Sequence, residues 1–502
     1  MNKRVMIAVV CLVVFCTAGI ALGWQGRMAG MADPTGLVQD ESDFLIHPAE
    51  IANIPGVHFY GNVDFDFHSV HRLNNSMTYF DSAGAVDEYY PFRTSGSERK
   101  FDSTIGATVP LGQGTLGLFL QYSSNRGKFD GNAISPDVND VYSLSKELQS
   151  LDMRAIYGVP VGSWKVGGEF ELAYRNREDE TFTNTGGQFF TNNIIGAQIP
   201  YFNTFPLMLP NDSNWWEANF KLSAKGQLGP GTLTITPHFG FVFGGDNNLH
   251  YQNVISPATL FEDITFKGNV SGWNAGGDIW WRMPMGGGLS LPLLVRVDYD
   301  SKKWDGSGIN NLLGTPLPMT YENEEKNLVI EAGGGLDKEF TLGTRIAGGI
   351  YYNYIESDNS FLYTVPSNLQ VTDHTNYPDS TEHRIVLKLA AENMIAPQFT
   401  ARMGINAFYG WAREKYNFIG TSAGVPFSLE QVTPSGSHYG VLVALGGTMK
   451  IDKMTLEPYV KAGYQKLDID SNSGTRPTSF QTLSVTKKIE ETSIGAGVSV
   501  KF

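Results

Sequence analysis

The sequence predicts an all-β chain that closes into a transmembrane antiparallel β-barrel of about 16 strands. Three observations predict it. Apolar residues alternate with small or polar ones along nearly the whole chain. The alternating segments are joined by two kinds of connection that take strict turns, one tight and one long. Charged residues inside the segments fall on the parity opposite the apolar residues, where only a wet face tolerates them. Composition agrees. The chain has 502 residues, 12% aromatic, 56 Gly and only 18% charged, against about 25% charged in a typical soluble domain. Mean hydropathy is −0.18. No apolar run after the first thirty residues reaches the roughly 18 residues of a spanning helix. A helical membrane protein is thereby excluded, and the balance is too rich in aromatics for disorder.

Residues 1–23 read as a cleavable export signal. Lys3 and Arg4 give a positive start, Val5 to Ile20 an apolar stretch, and Ala21-Leu22-Gly23 the small residues that place cleavage before Trp24. Cys11 and Cys16 are the only cysteines and lie inside this signal. Residues 24–502 therefore carry no disulfide, thiolate metal site, iron–sulfur cluster or covalently attached haem. Residues 24–56 read as a periplasmic lead-in or an internal plug, and 57–502 as the barrel.

The barrel reading rests on particular segments. Ile494, Ala496, Val498, Val500 and Phe502 alternate with Ser493, Gly495, Gly497, Ser499 and Lys501; Phe59, Phe65 and Phe67 alternate with Tyr60, Asp64, Asp66 and His68. This is the period of a strand with one oily and one wet face. Similar segments fall near 57–70, 98–109, 115–123, 150–160, 164–175, 214–227, 231–244, 270–283, 289–300, 326–340, 343–356, 382–395, 398–411, 437–450, 454–465 and 488–502. The tight connections, such as Leu111-Gly112-Gln113-Gly114 and Leu228-Gly229-Pro230-Gly231, read as hairpin turns. The long ones, 71–97, 124–149, 176–213, 245–269, 301–325, 357–381, 412–436 and 466–487, are polar and read as loops. Tight turns at one end and long loops at the other put both termini on the short-turn, periplasmic side. Aromatics near segment ends (Trp164, Tyr174, Trp215, Trp216, Trp281, Tyr299, Tyr352, Tyr409, Trp411, Tyr464) read as interfacial girdles.

Net charge is −14, which excludes nucleic acid as a partner. The other chemical motifs dissolve in context. Gly112-x-Gly114-x-x-Gly117 matches a dinucleotide fingerprint but enters a strand, not a helix. Asp468-x-Asp470-x-Asn472 begins like a calcium loop but lacks its later Gly and Glu. No nucleophile–base pair or His-rich metal motif can be placed, so the reading is not an enzyme, with no cofactor and no metal. The informative residues are charges on the lumen parity. Pore-lining candidates are Arg345, Arg384, Lys388, Arg402, Arg296, Glu331, Asp337, Asp64 and Asp66. Arg345, Arg384, Lys388 and Arg402 come from neighbouring strands and are expected to form one basic wall patch, which would favour anions.

The alternating final strand ending in Phe502 resembles the C-terminal signature of Gram-negative outer-membrane barrels, and the strand count resembles general porins. That resemblance implies residence in outer-membrane lipid and passive diffusion of small hydrophilic solutes or ions. A homotrimer is a candidate assembly. It also implies that the third long connection, 176–213, folds inward, which makes Glu178, Asp179 and Glu180 constriction-loop candidates facing the basic patch. Residues 27–52, from Arg27-Met28-Ala29-Gly30-Met31 through Asp40, Ser42 and Asp43 to His47-Pro48-Ala49, are similar to the N-terminal stretch of FadL-type barrels, with His47 where Asn is usual. That resemblance implies an internal hatch, and keeps a hydrophobic-compound transporter as an alternative. A second alternative is a sleeve around a multihaem cytochrome partner, as in porin–cytochrome conduits, with all haem supplied by the partner. The leading expectation is a porin-like channel.

Overall fold

A computed structural model describes residues 26–502 except 81–85, 135–138, 185–189, 193–198, 202–210, 257–258, 313–314, 341–342, 366–368, 374–378, 423–424, 433–434 and 472–484. The export signal expected at 1–23 lies outside the described residues.

The chain forms a closed antiparallel barrel of 16 strands. They are β1 (His58–Phe80), β2 (Val86–Leu111), β3 (Gly114–Ile134), β4 (Asn139–Val161), β5 (Trp164–Asn184), β6 (Asn211–Leu228), β7 (Gly231–Ser256), β8 (Thr259–Gly286), β9 (Leu289–Leu312), β10 (Thr315–Glu339), β11 (Thr344–Val365), β12 (Asp379–Ala396), β13 (Phe399–Ser422), β14 (Gly436–Ile451), β15 (Met454–Ser471) and β16 (Val485–Lys501). Each pairs with its chain neighbours, and β1 closes the cylinder on β16 in the register Tyr60↔Lys501 to Asn75↔Thr486. Short extra strands Leu369–Asp373 and Val425–Val432 extend the wall beside β11 to β13. Closure pairs every backbone group within the wall, which a lipid-facing sheet requires.

The strands follow directly from the alternation. Outward positions carry Phe59, Phe65 and Phe67 on β1, Phe239 and Phe241 on β7, Ile385, Leu387 and Leu389 on β12, and Ile494 on β16, all of them exposed. In water this continuous apolar belt would be an aggregation surface; in hydrocarbon it meets its natural solvent. The molecule is thus an outer-membrane barrel with a greasy exterior. Aromatic pairs rim the belt: Tyr174 with Trp216 at 5.1 Å, Trp273 with Tyr299 at 4.9 Å and Tyr439 with Tyr464 at 6.3 Å. Trp215 departs from the expected girdle. It faces the lumen, buried, and donates from Nε1 to Glu217 at 2.9 Å.

The tight connections fold as expected. Gly112, Gly162 and Gly229 open their turns at φ of 62°, 62° and 61°, the left-handed value glycine adopts without strain. The long connections do not fold as loops over most of their length. The segment 245–269 is nearly all strand, since β7 runs to Ser256 and β8 starts at Thr259; 301–325 is likewise consumed by β9 and β10. Past the membrane surface both faces of a strand meet polar surroundings, so the oily–wet contrast fades while the backbone ladder continues.

Candidate functional site

Residues 26–56 lie inside the barrel. They comprise a helical turn α1 (Gly26–Ala29) and two 3₁₀ turns, Glu41–Leu45 and Pro48–Asn53. The first 3₁₀ turn is fixed by a capping box, in which Asp40 and Asp43 accept from each other's end of the turn; the second starts at Pro48, whose ring suits a first helical position. Ala32 and Asp33 both take φ 56°, the tight reversal that turns α1 back toward the wall.

Glycine makes the seat. At Gly158 and Gly167 a β-carbon would strike Pro48 and its neighbours, at Gly117 Ile51, at Gly335 and Gly349 Leu37, and at Gly404 Met31. The internal backbone therefore approaches the wall where the wall has no side chain. Two apolar clusters hold it: Phe44, Ile51 and Ile54 with Tyr60, Phe119 and Ile156, and Met28, Met31, Leu37 and Val38 with Ala347 and Ala390. Each large side chain so buried contributes about 1.5–3 kcal/mol. Polar contacts ring the clusters. Arg27 donates to Glu392 at 2.9 and 2.8 Å and to Asp40 at 2.9 Å. Arg282 donates to the Leu37 carbonyl at 2.7 Å, Lys388 to that of Thr35 at 3.0 Å, and Lys221 to that of Leu45 at 3.1 Å. Lys225 pairs with Glu50 and Lys501 with Glu41. Burial, with the charge of Asp40 adding to it, raises the Asp43 carboxyl well above the usual range. All these wall partners lie toward the short-turn end, so the segment occupies the periplasmic half of the lumen.

The predicted wall residues face the lumen but are not brought together as one basic patch. Arg345 stands near the turn end and donates twice to Asp337, at 2.7 and 2.5 Å, an acid that also takes Arg282. Arg402 meets Glu457 at 3.2 Å, and Glu392, its cross-strand neighbour, at 3.8 Å. Lys388 meets Glu331 at 2.9 Å, which also draws Arg296 to 3.7 Å. Arg384 forms a fork on Glu382 at 2.5 and 2.7 Å. Asp64 and Asp66 share Lys461 at 2.9 and 2.8 Å. The expected patch is corrected: the cations do not stand as one uncompensated patch, because each has an acid within reach on the facing strand, on its own strand or one strand beyond, and the lumen charges are compensated locally. The in-folded constriction is corrected as well. Glu178, Asp179 and Glu180 belong to β5, paired with Glu147, Lys146 and Ser145 of β4. The side chains of Asp179 and Glu180 lie outside the described residues; that of Glu178 accepts from Asn176 at 3.2 Å.

Two further features escaped the sequence reading. Above the internal segment is a cavity of about 480 Å³, floored by Asp33, Thr35 and Ile46 and walled by Arg296, Asn353, Val386 and Phe408 among others. The Arg384 guanidinium lies over the Phe408 ring at 4.8 Å. Toward the extracellular end, apolar side chains join charged ones such as Glu217 and Glu414 on the inward positions: Val70, Phe129, Val242, Phe266, Val270, Trp304, Met319 and Ile469 are all buried. Trp215 and Trp304 meet edge to face at 6.4 Å there. The signal was present in the sequence as apolar residues on the wet parity beyond the membrane belt.

No family model matches the chain, and no curated protein does. Among solved structures it is similar to the Pseudomonas putida toluene transporter TodX, at 13% identity and a TM-score of 0.41 over 95% of this chain and 98% of that one. A Pseudomonas aeruginosa FadL homologue is similar at 10% identity and a TM-score of 0.42, over 96% and 99%. The Ralstonia pickettii toluene transporter TbuX is similar at 11% identity and a TM-score of 0.35, over 95% and 99%.

Proposed function

We propose that this protein is an outer-membrane channel for small, mainly apolar compounds, held shut at rest by residues 26–56. One observation carries the reading: the lumen is filled by its own chain at its periplasmic end, and buried aromatic and aliphatic side chains stand on its inward wall toward the extracellular end. An open pore for hydrophilic solutes needs a continuous wet passage. Here the wet wall is covered by the internal segment, and a permeant first meets an aromatic collar. The cavity between the two suits an amphipathic guest, with Val386, Phe408 and Ile46 for an apolar body and Arg296, Asn353 and Lys388 for a polar or acidic end. A cytochrome sleeve would require the space that the internal segment takes.

The test is uptake into cells whose outer membrane lacks other channels. Labelled benzoate, as a small aromatic acid, should enter faster with the protein present than without it, whereas a monosaccharide should show little gain. Equal gains for both solutes, together with high resting conductance in planar bilayers, would establish an open porin and reject the proposal.

A further inference from the structure

His47 sits where the internal segment meets the wall and is fully buried. It precedes the 3₁₀ turn Pro48–Asn53 at φ −118° and ψ 90°, but its side chain makes no cap. The imidazole turns instead to the barrel. Nδ1 lies 2.7 Å from Thr236 Oγ1 on β7 and 3.2 Å from Asp278 Oδ1 on β8. The ring meets Trp280 edge on at 4.3 Å. The Thr236 hydroxyl donates to Ser223 on β6 at 3.1 Å. Its proton is therefore spent, and the Nδ1–H of a neutral imidazole donates to Thr236. Nε2 is left bare, buried and without a hydrogen-bond partner.

We propose that His47 is a proton-operated latch: neutral, it holds residues 44–54 against β6 to β8, and protonated, it lets them go. The proposal rests on the reading that this segment closes the lumen. A second proton on the ring would sit on Nε2, which is buried with no hydrogen-bond acceptor. The charged groups around the ring are Lys221 and Lys225 on β6, Asp278 on β8, Arg296 on β9, and Asp43 and Glu50 of the segment itself; His238 on β7 pairs with Asp298 at 3.2 Å. Burial, with the charges of Arg296, Lys225 and Lys221 adding to it, pushes the imidazole down to about 3. Once undocked it would titrate near an ordinary 6.5. The sign follows. Docking is undiminished above pH 6.5 and weakens as pH falls from there toward 3, because the undocked form takes the proton first. The loss reaches about 25-fold between pH 7 and pH 5.

Amide hydrogen exchange of the whole protein in nanodiscs reads this directly, with rates corrected for intrinsic pH dependence. Protection of 44–54 should fall by about 25-fold from pH 7 to pH 5, while that of the β4 and β5 amides stays constant. H47N keeps a neutral donor and should flatten the pH dependence. T236V removes the acceptor and should lower protection at pH 7 while the slope remains. Constant wild-type protection across this range, or an undiminished slope in H47N, overturns the latch. Neither outcome depends on solute uptake, so the latch and the transport reading fail separately.

Discussion

The two halves of the lumen are built on opposite principles. Toward the periplasm the wall is charged, glycine-pitted and covered by residues 26–56; toward the outside aromatic and aliphatic side chains stand among its charges, with no such covering segment among the described residues. The contrast teaches that a charged lumen is not by itself an open one. Arg282, Lys221 and Lys388 each spend a donor on a carbonyl of the internal segment, so much of the wall's polarity serves to hold that segment.

The strongest way to break the contrast is to delete residues 26–54. A barrel of this width then retains an aqueous channel, and single-channel conductance should rise well above that of the resting protein. Gly167→Leu is gentler. Its side chain must displace Pro48 and Ala49, and overpacking of this kind costs about 1–3 kcal/mol; faster proteolysis of residues 44–56 in the folded protein is the readout. Lys388→Met removes the partner of Glu331 and the donor to Thr35, a loss of about 1–3 kcal/mol that should appear as a lower urea midpoint for release of the segment. Trp304→Ala opens the collar and should reduce benzoate uptake a few-fold without raising resting conductance. The smallest effect concerns neither half. Asp452 holds φ 54° in a turn where other turns use glycine, and Asp452→Gly should gain up to about 1 kcal/mol in thermal unfolding.

The barrel was legible because lipid imposes a two-residue rhythm on every strand. Ile385, Leu387 and Leu389 announce β12, and Gly112, Gly162 and Gly229 announce the turns. Strand ends were not legible, since the strict oily–wet alternation lapses in the sequence before the strands end at Ser256 and begin at Thr259. The wall charges could be assigned to the wet parity, but their partners could not. Arg345 finds Asp337 only through the register of β10 and β11, and Lys388 reaches Glu331 across β11 from two strands away. For residues 27–52 the sequence offered only a resemblance. Their contacts depend on glycines scattered from Gly117 to Gly404, whose meeting in space no local pattern encodes.

The seam between β1 and β16 joins Tyr60 to Lys501, almost the whole length of the polypeptide. A cylinder stitched at that point cannot be completed until its last residues have been made and delivered. The residues that end up within it immediately precede the seam strand, so they must already be gathered inward when the final hairpin zips, or be trapped outside. Assembly in the bilayer is therefore ordered in time as well as in space, with the cork laid down before the bottle is shut.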